Sequence, residues 1–187
     1  MKCSVFIATS ADGYIATTKG DVDWLHTAGN PEANLQDHSD MGFNAFMNSV
    51  DCMIMGRKCM EMIAEMNLTP EQWLYGDIPI IVLSKTIKAP PENLQTKVTL
   101  FSGEIYDLIA SLEDQGLKHA YIDGGSTITS FLKLKLITEM TITQVPILLG
   151  DGIPLFGKLD NSIKLVNAKA IAFENDFIQM TYQVAYE

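Results

Sequence analysis

Ala120-Tyr121-Ile122-Asp123-Gly124-Gly125-Ser126-Thr127 is a short apolar strand that runs through two glycines into a helix expected over 126–134. Such a terminus gathers free backbone N–H groups at the positive end of a helix dipole, and glycine lets an anion approach the backbone. The stretch lacks a full G-x-G-x-x-G fingerprint, so a plain strand–helix turn capped by Ser126 stays open beside an anion site. The same shape recurs at Met55-Gly56-Arg57-Lys58, where two cations occupy the first turn of a helix although the dipole disfavours them there. Ser84-Lys85-Thr86 follows a third apolar strand and adds hydroxyls and another cation. In an open α/β sheet, ligands bind at the carboxyl ends of the strands, which is where all three stretches fall. The competing reading is a set of solvated surface cations.

Outward from these turns, strand-like and helix-like runs alternate. Strands are expected at 5–9, 51–55, 78–83, 97–101 and 120–123. Phe43, Phe46, Met47 and Val50 recur at helical spacing, and further helices are expected over 57–65 and 105–112. The last third differs: 138–149, 163–173 and 177–186 are β-branched and look antiparallel, with turns at Gly150-Asp151-Gly152 and Glu174-Asn175-Asp176. No linker, repeat or low-complexity tract interrupts the chain. The pattern predicts a single α/β domain over 1–187, with a mostly parallel sheet, helices on both faces and an antiparallel C-terminal edge.

The 187 residues include 23 acidic and 13 basic ones, a formal net charge of −10. That balance argues against binding nucleic acid or an anionic membrane, both of which require a basic surface. No apolar run approaches the roughly 20 residues of a membrane-spanning helix. The N-terminus reads as a first strand rather than a signal peptide. Cys3, Cys52 and Cys59 read as buried free thiols of a reducing cytoplasm. Those cysteines and His26, His38 and His119 lack metal-ligand spacing, so no metal is assigned. Trp73 and Tyr75 precede the strand at 78–83, where they pack locally or fill a substrate mouth.

Five stretches together resemble the dihydrofolate reductase superfamily. They are Ser10-Ala11-Asp12-Gly13-Tyr14-Ile15-Ala16, Gly20-Asp21-Val22-Asp23-Trp24-Leu25, Met55-Gly56-Arg57-Lys58, Asp123-Gly124-Gly125-Ser126, and Leu149-Gly150-Asp151-Gly152-Ile153-Pro154-Leu155-Phe156. They are most similar to its branch containing the C-terminal reductase domain of riboflavin biosynthesis. The resemblance covers nearly the whole chain in order. It implies a dihydrofolate reductase-like sheet of about eight strands and an NADPH-dependent reductase. Gly56, Arg57 and Lys58 would hold the adenosine-side phosphates of NADPH, and Ser84 and Lys85 would sit near its ribose 2′-phosphate. Gly124, Gly125, Ser126 and Thr127 would wrap the pyrophosphate, across a Gly-Gly peptide that is often cis in the family. Ala8, Ile15 and Ala16 would line the nicotinamide pocket under a mobile flap, residues 13–23. Asp12, Trp24 and Phe43 would face the substrate.

The resemblance also implies that Asp40 is the acid that supports protonation of a substrate ring, with Thr143 orienting it. Asp40 lies three residues before Phe43, on the apolar stripe, where a carboxyl group tends to have a raised pKa. The alternative is that Asp37, Ser39 or Asp40 caps the helix. The chain departs from the pattern at Asp23, at the long stretch 26–36, and at Tyr14, where riboflavin-type reductases often carry arginine. A ribosylamino-pyrimidine substrate is favoured, with folate or pteridine as the alternative. A nucleotide-binding module without turnover is the reading from another class. A homodimer is expected from the same branch.

Overall fold

The computed structural model describes residues 1–36 and 39–186. Asp37, a candidate cap, and His38, read as no metal ligand, lie outside the described residues. Eight strands form one sheet. They are β1 (Lys2–Ser10), β3 (Cys52–Gly56), β4 (Ile80–Leu83), β5 (Val98–Phe101), β6 (His119–Asp123), β7 (Ile137–Val145), β9 (Lys164–Ala172) and β10 (Ile178–Ala185). Their spatial order is β5-β4-β3-β6-β1-β7-β10-β9. Every pair from β5 to β7 is parallel, and β10 is antiparallel to both β7 and β9. This is the dihydrofolate reductase-like α/β architecture that the sequence implies.

Burial explains why the parallel block reads as continuous apolar runs. Cys52, Met53, Ile54 and Met55 of β3 are all buried, because helices cover both faces of a parallel sheet. On one face α4 (Ile105–Asp114) contributes Leu108, Ile109 and Leu112, and α5 (Gly125–Lys133) contributes Ile128, Phe131 and Leu132. On the other, α3 (Arg57–Glu65) places Met60 and Ile63 against Met53, Met55, Ile80 and Val82.

Three expectations change. The helix expected from Phe43 to Val50 is only α2 (Phe43–Met47), although all four apolar residues still pack into that second core. The strand expected at 138–149 ends at Val145, before Pro146, and is antiparallel only to β10, since its other neighbour is β1. A short α1 (Trp24–Thr27) and a two-stranded sheet of β2 (Tyr14–Ala16) and β8 (Ile153–Pro154) escaped the sequence reading. Three- and two-residue strands are too short to leave an alternating pattern.

At the amino ends of the strands, His119 bonds through Nδ1 to the Ser49 carbonyl at 2.7 Å and through Nε2 to Ser4 Oγ at 2.8 Å. A carbonyl can only accept, so Nδ1 carries the proton and Nε2 of the neutral ring accepts from the serine hydroxyl. Burial holds the His119 pKa below its ordinary value, more strongly than the Ser49 bond raises it. The folded state therefore binds this proton less readily than the unfolded chain. The contribution is fully present above the unfolded pKa of about 6.5 and is lost as pH falls through the lowered folded value.

The small sheet rests on the start of α5. A Cβ on Gly125 would lie 2.7 Å from the Pro154 carbonyl oxygen and 2.9 Å from that of Leu155. Gly125→Ala is expected to destabilise the protein by about 1–3 kcal/mol in urea unfolding. His119→Gln is expected to flatten the loss of stability below about pH 6.5, measured as the urea midpoint against pH.

Candidate functional site

Parallel pairing puts four strand exits side by side at one edge of the sheet, after β4, β3, β6 and β1. The exits are tightly packed. The Cβ position of Gly56 is 3.0 Å from Thr127 Oγ1, which ties the end of β3 to the first turn of α5. Gly124 has φ +89°, and a Cβ there would lie 2.4 Å from Cys59 Sγ on α3. Only glycine meets both demands. All described peptide bonds are trans, including Gly124–Gly125, which corrects the cis bond that the resemblance suggested. The positive φ at Gly124 makes the turn instead.

This rim carries the residues expected to hold phosphates. The first bond inside α5 runs from Ile128 N–H to the Gly124 carbonyl, so the N–H groups of Gly125, Ser126 and Thr127 have no acceptor within the helix. Ser126 is exposed, whereas Thr127 is buried beneath it against Gly56. Ser84 folds its own loop, its Oγ accepting from Thr86 N–H at 3.2 Å and Ile87 N–H at 3.3 Å. Arg57 Nη1 donates to Glu61 Oε1 at 2.6 Å, and Lys85 Nζ lies 3.1 Å from Glu104 Oε1. Lys58 is exposed. Free N–H groups, glycine backbone, hydroxyls and cations on adjacent exits form a donor set that fits a dinucleotide's phosphates.

Beside the rim, the face that carries α2 is closely packed, with Thr143 and Gln179 buried. Ala8, Thr143 and Gln179 lie abreast on β1, β7 and β10. Phe43 stands edge-on to Phe6 with ring centroids 5.7 Å apart. Asp123 closes β6 on this face. Tyr121 donates its hydroxyl to the Phe6 carbonyl at 2.9 Å and lies 3.4 Å from Asp123 Oδ1. Burial raises the Asp123 carboxyl to about 6, against the lowering effect of the Gly124 N–H and the Tyr121 hydroxyl. The carboxylate in turn helps raise Tyr75, Tyr121 and Cys59, although burial is the larger cause in each; Cys59 reaches about 12 and is not a reactive thiol.

The Asp40 carboxylate accepts from Gly42 N–H and Asn44 N–H, both at 2.9 Å, and these bonds, led by Asn44, lower its pKa. A raised pKa was expected from the apolar stripe, but the side chain turns back to cap α2. Thr143 Oγ1 accepts from Gln179 Nε2 at 3.0 Å, and the same amide reaches the Met41 carbonyl at 2.9 Å. Thr143 thus meets the loop that carries Asp40 through buried Gln179. Trp24 is buried among Val145, Phe173 and Phe177, with Ala8 and Met41 packed alongside. Its Nε1 has no hydrogen-bond partner among the described residues.

Asp12 acts as a clasp between loops. It accepts from Ser10 Oγ at 2.6 Å, Leu149 N–H at 3.1 Å and Gly150 N–H at 2.7 Å, and these bonds, led by Ser10, lower its pKa. Ile15 lies over Gly125, and Ala16 lies under Gly152, its carbonyl 2.4 Å from that glycine's Cβ position. Ile15 and Ala16 of β2 thus pack against the start of α5 and the loop before β8, while Ala8 lies on β1. Trp73 packs locally: its Nε1 bonds to the Gly76 carbonyl at 3.0 Å and the Lys97 ammonium lies 3.7 Å above its ring. Tyr75 packs edge-on to Trp73. The sequence reading missed Asp123 and Gln179 as site residues. An acid at the last position of an apolar strand was the available signal for Asp123; Gln179 had none.

Residues 2–179 match the family described as the RibD C-terminal domain, and the chain belongs to it. It is 32% identical over 166 residues to the uncharacterized protein YwjB of Bacillus subtilis strain 168, covering 88% of this chain and 87% of YwjB. A crystal structure from Shewanella sp. PV-4, provisionally named a riboflavin biosynthesis protein, is 43% identical over all of both chains with a TM-score of 0.88. Dihydrofolate reductase from Enterococcus faecalis, in complex with NADP(H), aligns with a TM-score of 0.62 at 16% identity, covering 99% of this chain and 97% of that one. That likeness is one of fold. Among the described residues no helix is long and apolar enough to cross a membrane, and no group of three or more potential metal ligands occurs.

Asp40→Ala removes the cap and is expected to cost about 0.5–2 kcal/mol of stability by urea unfolding. Asp40 touches none of the residues of the rim, so the cost falls on the helix and not on the rim.

Proposed function

We propose that this chain is an NADPH-dependent reductase acting on a small planar heterocycle. The observation that carries the reading is the placement of Asp123, a carboxyl group with a pKa near 6, beside the start of α5, where Ser126 is exposed. Proton donor and phosphate rim are then neighbours on one edge of the sheet. NADPH bound on that rim supplies a hydride from C4 of its nicotinamide. Gly124, Gly125 and Ser126 hold its pyrophosphate, Arg57 and Lys58 its adenosine-side phosphates, and Ser84 and Lys85 its ribose phosphate. Ala8, packed beside Trp24, sets the floor on β1 where a flat ring would lie. Trp24 Nε1 offers a buried donor to a substrate carbonyl. Asp123 delivers the proton to the heteroatom of the reduced C=N or C=O bond, which balances the hydride added to carbon.

A ribosylamino-pyrimidine of the 5-amino-6-(5-phosphoribosylamino)uracil type is the favoured substrate. The capped, low-pKa Asp40 weakens the folate or pteridine alternative, which relied on that residue as its acid. Membership in the RibD C-terminal domain family supports the same choice. A binding module without turnover would keep the rim but make no use of Asp123. The three free thiols support a cytoplasmic location.

A second copy of this chain is the proposed partner. All nine residues of β9 are exposed, Leu165, Val166 and Ile171 among them, and Ile178 on β10 is exposed too. Asn167, with φ +56°, sits in a bulge where β10 skips from Thr181 to Gln183. A bulge blunts strand addition, so the copies meet through faces rather than edges. Ile171→Glu is expected to convert a dimer to monomer in light scattering, and a wild type already monomeric overturns the partner.

Arg57→Ala is expected to weaken NADPH binding, followed by fluorescence, by about tenfold. NADPH oxidation is expected with the ribosylamino-pyrimidine and not with dihydrofolate; turnover of neither, despite cofactor binding, favours the module. As donor, Asp123 must be protonated, so kcat is expected to fall as pH rises through about 6. Asp123→Asn is expected to remove that limb and to lower kcat by about 100-fold or more.

A further inference from the structure

Arg57, the cation assigned to the cofactor phosphates, already holds an anion. Its Nη1 lies 2.6 Å from Glu61 Oε1, one turn further along α3, and the two side chains are 39% and 38% exposed. The pair stands on the rim itself, since Gly56, the residue before Arg57, is in contact range of Thr127 in the first turn of α5. Lys85 is held similarly by Glu104 at 3.1 Å, but those side chains are 71% and 77% exposed. Two cations of the proposed phosphate rim are therefore matched by carboxylates.

We propose that Glu61 is the anion that an incoming cofactor phosphate displaces from Arg57, so that binding exchanges one anion for another and Glu61 sets the affinity. The inference rests on the reductase reading above. A half-exposed pair of this kind is worth little in water, so it opens without disturbing α3. Arg receives a phosphate as a fork, through two parallel charge-assisted bonds to its non-bridging oxygens, whereas Glu61 meets Arg57 through a single oxygen, so the phosphate outcompetes the carboxylate. Once displaced, Glu61 remains within one helical turn of the phosphate and repels it, which favours release of the spent cofactor. The more exposed Lys85–Glu104 pair is too weak to act in this way.

The test is NADPH and NADP⁺ affinity, read by intrinsic fluorescence, in wild type, Glu61→Gln, Glu104→Gln, Arg57→Gln and the Arg57→Gln/Glu61→Gln double variant. Glutamine keeps the shape of the side chain and removes the charge. Glu61→Gln is expected to bind both cofactors about three- to tenfold more tightly, with slower dissociation, and Glu104→Gln to change affinity by less than about twofold. In the Arg57→Gln background the gain from Glu61→Gln is expected to shrink to within about twofold, because Glu61 acts through Arg57. Unchanged or weaker binding by Glu61→Gln overturns the exchange, as does a full gain that persists without Arg57. Failure of the wild type to bind NADPH overturns the reductase reading itself, and that result is separate from an unaltered Glu61→Gln in a protein that does bind.

Discussion

The register of β6 between β3 and β1 is the constraint on which the rest depends. Asp123 stands opposite Met55, and Tyr121 opposite Met53 and Ser4, all in parallel pairing. Parallel strands must end on the same side, so each return helix starts from the same edge. That requirement gathers Gly56, Gly124 and the loop after Ser10 without any long-range design of the loops. The close approaches follow from it. With β3 and β6 in register, the starts of α3 and α5 collide unless a glycine stands at 56 and 124, which is why Cys59 and Thr127 pack where a Cβ would otherwise be.

The same register sets the chemistry. One step at the end of β6 decides which face of the sheet an acid takes, and Asp123 falls on the face of Tyr121 and Phe6. Its raised pKa and the free N–H groups of α5 are two consequences of one strand ending where it does. The first comes from burial at the sheet's edge, the second from the orphan amides of a helix start.

Much of the fold was legible in the sequence because parallel strands buried on both faces leave uninterrupted apolar runs, and β3 and β6 were found within a residue. The α3 boundaries were found too, since Gly56 and the polar end at Glu65 punctuate the chain. The 138–149 stretch misled because β-branched composition does not report strand direction: β7 has a parallel neighbour on one side and an antiparallel one on the other. The site was legible where backbone chemistry carries it, at Gly56, Gly124 and Gly125. It was less legible where a side chain has two uses. Asp40 sits on an apolar stripe by spacing, but its short carboxylate finds two backbone N–H groups first. Gln179 lies in a strand far along the chain, and only the sheet order brings it to Thr143 and Met41.

β1 precedes both of its neighbours, β6 and β7, by a long stretch of chain. Its Lys2 pairs with His119 and its Ala8 with Thr143, each more than a hundred residues downstream. At a synthesis rate of about 5–20 residues per second, this strand waits on the order of ten seconds on the ribosome before either partner exists. Val5, Ile7 and Cys3 are exposed to other chains throughout that interval. The central strand of the finished sheet is thus the segment of the nascent chain that most needs shelter by a chaperone.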